Sequence, residues 1–527
     1  MKREKRDYSL WIKLAVALLL PVGCCLVHCA MQGKSILDVY LPVSEWNDEL
    51  FYYKQVESIL QYGFPQGYYG FNESHALTLS FAAWSPVLLL PWVLWGFLFG
   101  WNLLSPIWCN LFFLTLACVL FVWLVRPTAK QMGLLGLLFF FYRPFVRYTF
   151  CGMPEIICFS LLIIFYSLAI NYLNREKTYK LVLLFVLSGL LTWMRPYLFL
   201  FFLLPVYLLI TKKKWLGAAI SGAAMAVVLG GYVCINHFLA AEYFLPLFFT
   251  DWITTFFTDG FFAGIYHFFG KFYWKGKEFL EHMGRGFSVG LASGAYFITY
   301  LTMLGVLAWQ TVSDFRKIRK SKDNDCRNRL VIEGHLTFCF VGMLVALLLM
   351  YKMTEGSKHL ATFLAAGVFV VSLMPTRSFK KVTLLGAVFA FMFWVKAVDP
   401  YDYQVPFRDE ARAVQIETCR QTLEEKMQLE RTNVPNYENV VIWTLSDMLP
   451  GKTDTGRVLT PTKWQVLYAL PAGFGISCCT YDYVTENLTT LKSRYLMTGI
   501  DGDLDEACAQ AGYKEIYRDH EVVLYER

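Results

Sequence analysis

The chain has 527 residues, of which 56% are hydrophobic and 17% are charged, and its mean hydropathy is +0.42. This composition leaves too little polar surface for a soluble globular protein and predicts a polytopic membrane protein. The net charge of +7 does not indicate nucleic-acid binding, because most lysines and arginines fall in short clusters between apolar segments, as the positive-inside rule expects.

The first segment combines a basic head with an apolar stretch at residues 11–31. That stretch is longer than the roughly 7 to 15 apolar residues of a signal peptide, and no clear small-residue cleavage site follows it. We therefore expect an uncleaved first transmembrane helix with its N-terminus in the cytoplasm. The polar and aromatic residues that follow, about 32–102, form the first external loop in this prediction.

Residues 85–101 close that loop with two prolines and several tryptophans. A crossing there would put Arg126 and Lys130 outside, so we predict an interfacial or re-entrant helix, although a span stays open. The remaining apolar segments alternate with basic clusters at the inner turns. The eleven predicted spans are 11–31, 103–125, 131–148, 156–173, 180–194, 197–211, 215–235, 289–310, 331–351, 360–375 and 381–397.

The spans at 180–194 and 197–211 are shorter than the roughly 20 residues of a simple crossing, so we predict a kink around Arg195 and Pro196.

A second external stretch, 236–288, alternates aromatic residues with isolated charges, which is typical of a segment on the membrane surface. Residues 1–397 thus form a transmembrane domain in this prediction. Residues 398–527 have the pattern of a small external α/β domain.

An acid pair, Asp48 and Glu49, begins an amphipathic helix at residues 48–62 of the first external loop. Acids at such a position stabilise the helix through capping and through its dipole, and this structural role is one interpretation. A catalytic role for the pair is the other interpretation.

A third acid, Glu155, lies at the outer mouth of the span 156–173 behind a glycine and a proline. Charged residues at such depth face a cavity or a partner, or they extend to the headgroups. Cations gather at the same predicted outer ends, against the general inside bias. A phosphate ligand, lipid headgroups or structural ion pairs with the acids would each explain them. These cations are Arg143, Arg147, Arg195, Lys352 and Lys358.

Metal-binding patterns are weak in this sequence. The eight histidines show no pair with zinc-helix spacing, and the fourteen cysteines define no metal site. His75 and His359 are notable only because both lie at the predicted outer membrane edge. A divalent metal therefore stays an open possibility rather than a prediction.

Several motifs together resemble the GT-C membrane glycosyltransferases, in the branch of protein O-mannosyltransferases, lipid A aminoarabinose transferases and bacterial RgtA/B/C/D-like enzymes. The first is the run Asp48, Glu49, x, x, Tyr52, followed by a segment similar to the family's juxtamembrane helix. The others are "GMPEIICFSLL", "GLLTWMRPYLFLFFLLP", "GSKHLATFLAAG" and the terminal "VVLYER". The order of these pieces covers nearly the whole chain.

The resemblance implies a GT-C-like fold of about eleven transmembrane helices, with juxtamembrane helices in the first loop. It implies inverting transfer of a sugar from a polyprenyl-phosphate donor to an envelope glycan, lipid or protein on the outer face of the plasma membrane. Asp48 would be the base, Glu49 the supporting acid and Glu155 a third acid, where the family usually has Asp. The residues implied for donor phosphate are Arg195, Arg143, Arg147 and Lys358, and those for substrate are Tyr52, His75, His359 and Tyr197. Lys358 and His359 stand where Arg-Tyr is common in the family.

Two other classes of function stay open at this stage. A flippase or secondary transporter of lipid-linked sugars would also need cations in a cavity, but it is expected to show paired repeats with broken helices. A non-catalytic polysaccharide-assembly protein would keep the fold without needing the acid pair.

Overall fold

Most of the described chain is helical. The structure is a computed structural model that describes residues 8–41, 47–65, 69–73, 85–239, 249–288, 292–320, 324–351, 353–373, 384–388, 407–430, 437–444, 464–500 and 504–527. The helices of the first part are α1 (Tyr8–Met31), α2 (Asn47–Tyr62), α3 (Leu90–Phe99), α4 (Ser105–Val125), α5 (Ala129–Phe141), α6 (Pro144–Thr149), α7 (Glu155–Asn174), α8 (Thr178–Met194), α9 (Leu203–Thr211), α10 (Trp215–Leu239), α11 (Asp251–Thr258), α12 (Phe261–Ser288), α13 (Ala292–Ile318), α14 (Asn324–Met350) and α15 (Met353–Ser372).

Five of these helices are long and apolar enough to cross a bilayer, namely α1, α4, α7, α10 and α14. Shorter apolar helices lie between them, including α3, α5, α8 and α15. Helix α7 is the most enclosed of the five, and it packs against α4, α8, α14 and α15. The helix at the centre of the bundle therefore begins with Glu155.

Two breaks in the bundle follow from proline. Arg195 is extended at the end of α8, and Pro196 begins a 3-10 segment, Pro196–Phe202, so the kink lies at the predicted place. The segment expected as one span at 131–148 is two helices instead, because Pro144 interrupts it and α6 begins there. The last predicted span, 381–397, lies outside the described residues except for the helical segment 384–388.

The C-terminal part contains a six-stranded sheet flanked by α16 (Glu410–Lys426), α17 (Tyr481–Asn487) and α18 (Asp505–Gln510). Its strands are β1 (Tyr69–Phe71), β2 (Val440–Thr444), β3 (Gly475–Cys479), β4 (Tyr495–Gly499), β5 (Lys514–Arg518) and β6 (Val522–Glu526), in the order β1-β3-β2-β4-β6-β5. The first four in that order are parallel, whereas β6 and β5 are antiparallel.

Strand β1 comes from the first loop, so two distant parts of the chain build one sheet. Just after β1, the carboxylate of the buried Glu73 accepts hydrogen bonds from the backbone N–H groups of Lys492 and Ser493 and from the Ser493 hydroxyl. A buried charge needs such partners, and three donors satisfy it. The first loop is thereby tied to the C-terminal domain.

Candidate active site

Helix α2 presents Asp48 and Glu49 in its first turn. The positive end of the helix dipole favours acids at this position. The side chain of Asp48 is half-buried, whereas that of Glu49 is fully buried. The two acids therefore point into different surroundings although they are adjacent in the sequence.

Gly152 lets the start of α2 approach the loop that precedes α7. A Cβ atom on Gly152 would lie 3.1 Å from Glu49 Cβ and 3.3 Å from Leu41 Cδ1, which is closer than carbon atoms pack without strain. The glycine thus brings the acid pair next to the segment that carries Glu155.

The same loop is fixed from the other side by Asn110, a buried amide in the apolar helix α4. Its Nδ2 donates to the carbonyl oxygens of Tyr148, at 3.2 Å, and Cys151, at 2.9 Å. Its Oδ1 accepts from Trp92 Nε1 of α3 at 3.1 Å. One side chain therefore connects α3 with the loop before Glu155.

Glu155 and Arg195 form a buried ion pair. Arg195 Nη2 donates to Glu155 Oε1 at 2.5 Å, and the side chains are 2% and 1% exposed for the glutamate and the arginine. The second carboxylate oxygen, Oε2, is buried and accepts no hydrogen bond within the described part of the chain. A carboxylate at the start of α7 thus holds the guanidinium in one orientation.

Tyr52 links this pair to Asp48. Burial raises the pKa of the Tyr52 phenol well above its ordinary value, the charge of Arg195 opposes that shift, and Asp48 and Glu155 add to it. All three charged groups therefore act on the same hydroxyl. The ring of Tyr52 also lies against Trp92, at 6.4 Å between centroids, which joins α2 to α3.

Tyr197, within electrostatic reach of Arg195, contacts His359. Tyr197 Oη and His359 Nδ1 are 3.3 Å apart, and the ring of Tyr351 is 5.2 Å from that of His359. The charge of Arg195 acts on Tyr351 as well. The segment after the Pro196 break and helix α15 thus contribute polar groups to the same cluster.

The remaining predicted residues divide into three groups. Arg147 is buried beside the acid pair, and the charges of Glu49 and Arg147 both act on the Cys151 thiol. Arg143 lies within electrostatic reach of His28, at the end of α1. His75, Lys352 and the side chain of Lys358 lie outside the described residues.

Three residues around the site were not identified from the sequence, namely Asn110, Cys151 and Tyr351. Of these, only Asn110 could have been found from the sequence, because a single amide in an otherwise apolar helix needs buried partners. Among the described residues, no three His, Cys, Asp or Glu side chains come together as a metal site.

No family model and no curated protein matches the chain. Solved structures to which it is similar include those of an archaeal oligosaccharyltransferase and of ArnT. The Archaeoglobus fulgidus oligosaccharyltransferase in the apo form is 11% identical, with a TM-score of 0.47 over 94% of this chain and 70% of that one. The oligosaccharyltransferase AglB of that organism, in complex with an inhibitory peptide and a dolichol-phosphate, has the same coverage and TM-score at 12% identity.

ArnT from Cupriavidus metallidurans bound to undecaprenyl phosphate is 12% identical, with a TM-score of 0.40 over 98% of this chain and 97% of that chain. At these identities, and with TM-scores below 0.5, the comparisons assign neither a family nor a function to the chain. The roles of individual residues therefore depend on the geometry of this site.

Proposed function

We propose that the chain transfers a sugar from a polyprenyl-phosphate donor to an envelope glycan, lipid or protein on the outer face of the plasma membrane. One observation carries this proposal. Tyr52 lies within electrostatic reach of Asp48 and of the Glu155–Arg195 pair, and Tyr197, the partner of His359, lies within reach of the same arginine. They come from α2, α7, the break after α8 and α15, so the fold rather than local sequence brings them together.

Asp48 acts as the general base in this proposal. A hydroxyl acceptor is a weak nucleophile, and a carboxylate within hydrogen-bond reach can take its proton as the new glycosidic bond forms. Asp48 suits this role because its side chain is half-buried and so within reach of an acceptor, whereas Glu49 is enclosed and supports the turn.

Arg195 stabilises the leaving phosphate in this proposal. The leaving group is already an anion, so no general acid is needed, and a fixed cation can stabilise the charge that develops on the bridging oxygen. Glu155 positions that cation through the 2.5 Å contact. The lipid tail would lie among the apolar helices that surround Arg195.

Attack from the side opposite the lipid phosphate inverts the configuration at the anomeric carbon. The hydroxyl oxygen forms the bond to the anomeric carbon, the bond to the phosphate oxygen breaks, and Asp48 receives the proton. No residue needs to form a covalent intermediate, so the arrangement requires one base rather than two catalytic carboxylates.

The test supplies purified protein with undecaprenyl-phosphate mannose, glucose and aminoarabinose and measures sugar transfer or slow donor hydrolysis. We expect turnover with at least one donor, and a fall of about a hundredfold or more in Asp48→Asn, because general-base removal has effects of that size. The matched control is Asp259→Asn, the same chemical change at an exposed acid. Near-wild-type turnover in Asp48→Asn would contradict the proposed role.

A further inference from the structure

Two cavities, of about 310 Å³ and 260 Å³, lie between α2 and α16, and both are lined by Glu57, Trp101 and Arg420. Together they form what we call the Trp101 groove. Its walls come from the first loop on one side and from the C-terminal domain on the other. Tyr53 and Tyr468 complete the aromatic part of the lining.

The aromatic part of the groove is held in place by stacking. Gly100 ends α3 with a φ of 84°, which lets the chain turn back at Trp101. The ring of Trp101 then stacks on Tyr53 at 5.2 Å and an interplanar angle of 27°, and Tyr468 lies 5.3 Å from Tyr53. A rigid aromatic surface of this kind can contact the flat apolar face of a sugar ring at low entropic cost.

Trp101 also offers a hydrogen-bond donor. Its Nε1 atom is buried and has no hydrogen-bond partner within the described residues. A buried indole N–H normally finds an acceptor, so an occupant that supplies one would be favoured.

The charged groups at the groove are held by contacts within the protein itself. Arg420 donates to Glu417 at 2.9 Å and lies 3.6 Å from Glu424, while the buried Lys54 donates to Glu57 and to the Leu470 carbonyl. The lining therefore offers both hydrogen-bond donors and acceptors beside the aromatic rings. Carboxylates exceed cations in the lining, which disfavours a phosphate or another anion.

We infer that the Trp101 groove binds a neutral glycan, as the acceptor of the reaction proposed above, on which this inference rests. A neutral sugar has hydroxyl groups that both donate and accept, and a C–H face that suits an aromatic ring. The groove also leads back to the acid pair. Tyr468 lies within electrostatic reach of Glu49, and Glu57 is nine residues along α2 from Asp48, or about 14 Å at the rise of an α-helix.

The inference is tested by binding of the full-length protein in detergent to a printed array of neutral and acidic oligosaccharides of two to six sugars. We expect binding to neutral glycans. Arg420→Gln and Trp101→Leu should weaken it about tenfold or more, and Trp101→Phe should retain part of it because the ring remains. Arg518→Gln, an exposed arginine of β5 on the same domain, is the matched control.

Asp48→Asn separates this inference from the proposed reaction. It should lose sugar transfer but bind the same glycans with unchanged affinity, so the groove can be judged even if no donor is turned over. Absence of binding to every glycan, a preference for acidic glycans, or unchanged binding in both Arg420→Gln and Trp101→Leu would overturn the inference.

Discussion

Gly152→Ala tests whether close packing of the acid pair against the loop before α7 matters for catalysis. A Cβ at this position would lie 3.1 Å from Glu49 Cβ and 3.3 Å from Leu41 Cδ1. Carbon atoms pack at about 3.5 to 4.0 Å, so the loop or the start of α2 must move by about 0.2 to 0.9 Å. Asp48, in the same turn as Glu49, moves with it.

A shift of this size should reduce turnover while leaving the protein folded. A misplacement on the order of 1 Å can cost a catalytic group about a hundredfold in rate. Overpacking by one methyl group costs about 1 to 3 kcal/mol in unfolding free energy. We therefore expect sugar transfer by Gly152→Ala to fall by about ten- to a hundredfold, while the protein still folds.

The assay compares initial rates of sugar transfer with thermal unfolding in the same detergent. Gly133→Ala in α5 is the matched control, because an added Cβ there would meet no atom within 4 Å. It should leave both rate and stability near those of the wild type. A Gly152→Ala protein with wild-type turnover would refute the argument that this contact positions the base.

Three further predictions concern stability. Asn110→Leu should leave the Trp92 N–H and the Cys151 carbonyl without the partner that Asn110 supplies, at about 1 to 3 kcal/mol for each of these two buried groups, measured by chemical unfolding. Arg195→Gln should lower the free energy of unfolding by about 3 to 5 kcal/mol, because it leaves Glu155 as an uncompensated buried charge. The double variant with Glu155→Gln should recover part of that loss. Strictly additive effects of the two substitutions would argue against the pair. Burial raises the pKa of Asp519, but hydrogen bonds have a larger, opposite effect, so the folded pKa lies below its ordinary value. The donors are Gln415, Val522, Glu521 and Tyr517. The stabilisation by Asp519 is then complete above the unfolded pKa of about 3.9 and is lost as pH falls through the lower folded pKa. Asp519→Asn should remove this contribution to acid unfolding, and an unchanged acid transition would exclude the role.

Local chemistry made parts of this fold predictable. The amphipathic pattern after Asp48 predicted α2, and Arg195-Pro196 predicted the kink because proline excludes its predecessor from helical geometry. Pro144 also marks a helix break, although its predecessor Arg143 is helical and the break falls at Tyr142, but the apolar run around it was interpreted as one span. Hydrophobicity alone does not report a helix break.

Long-range features could not be predicted from the sequence. Strand β1 has three residues, too few for a periodic signal, and its partner strand is near the other end of the chain. The pairing of Glu155 with Arg195 was one of the interpretations left open, because a sequence does not report which side chains meet between helices. Candidate site residues could therefore be proposed from the sequence, but the contacts between them could not be predicted.

The shared sheet has a consequence for how the protein is made. Glu73 N–H donates to the Ser477 hydroxyl, and the two residues are 404 positions apart in the chain. The first loop is therefore synthesised well before the residue that it contacts. At about 5 to 20 residues per second, that delay is roughly 20 to 80 seconds on the ribosome. The sheet that joins the first loop to the C-terminal domain should therefore form only after Ser477 has been synthesised, so a half-inserted chain lacks it.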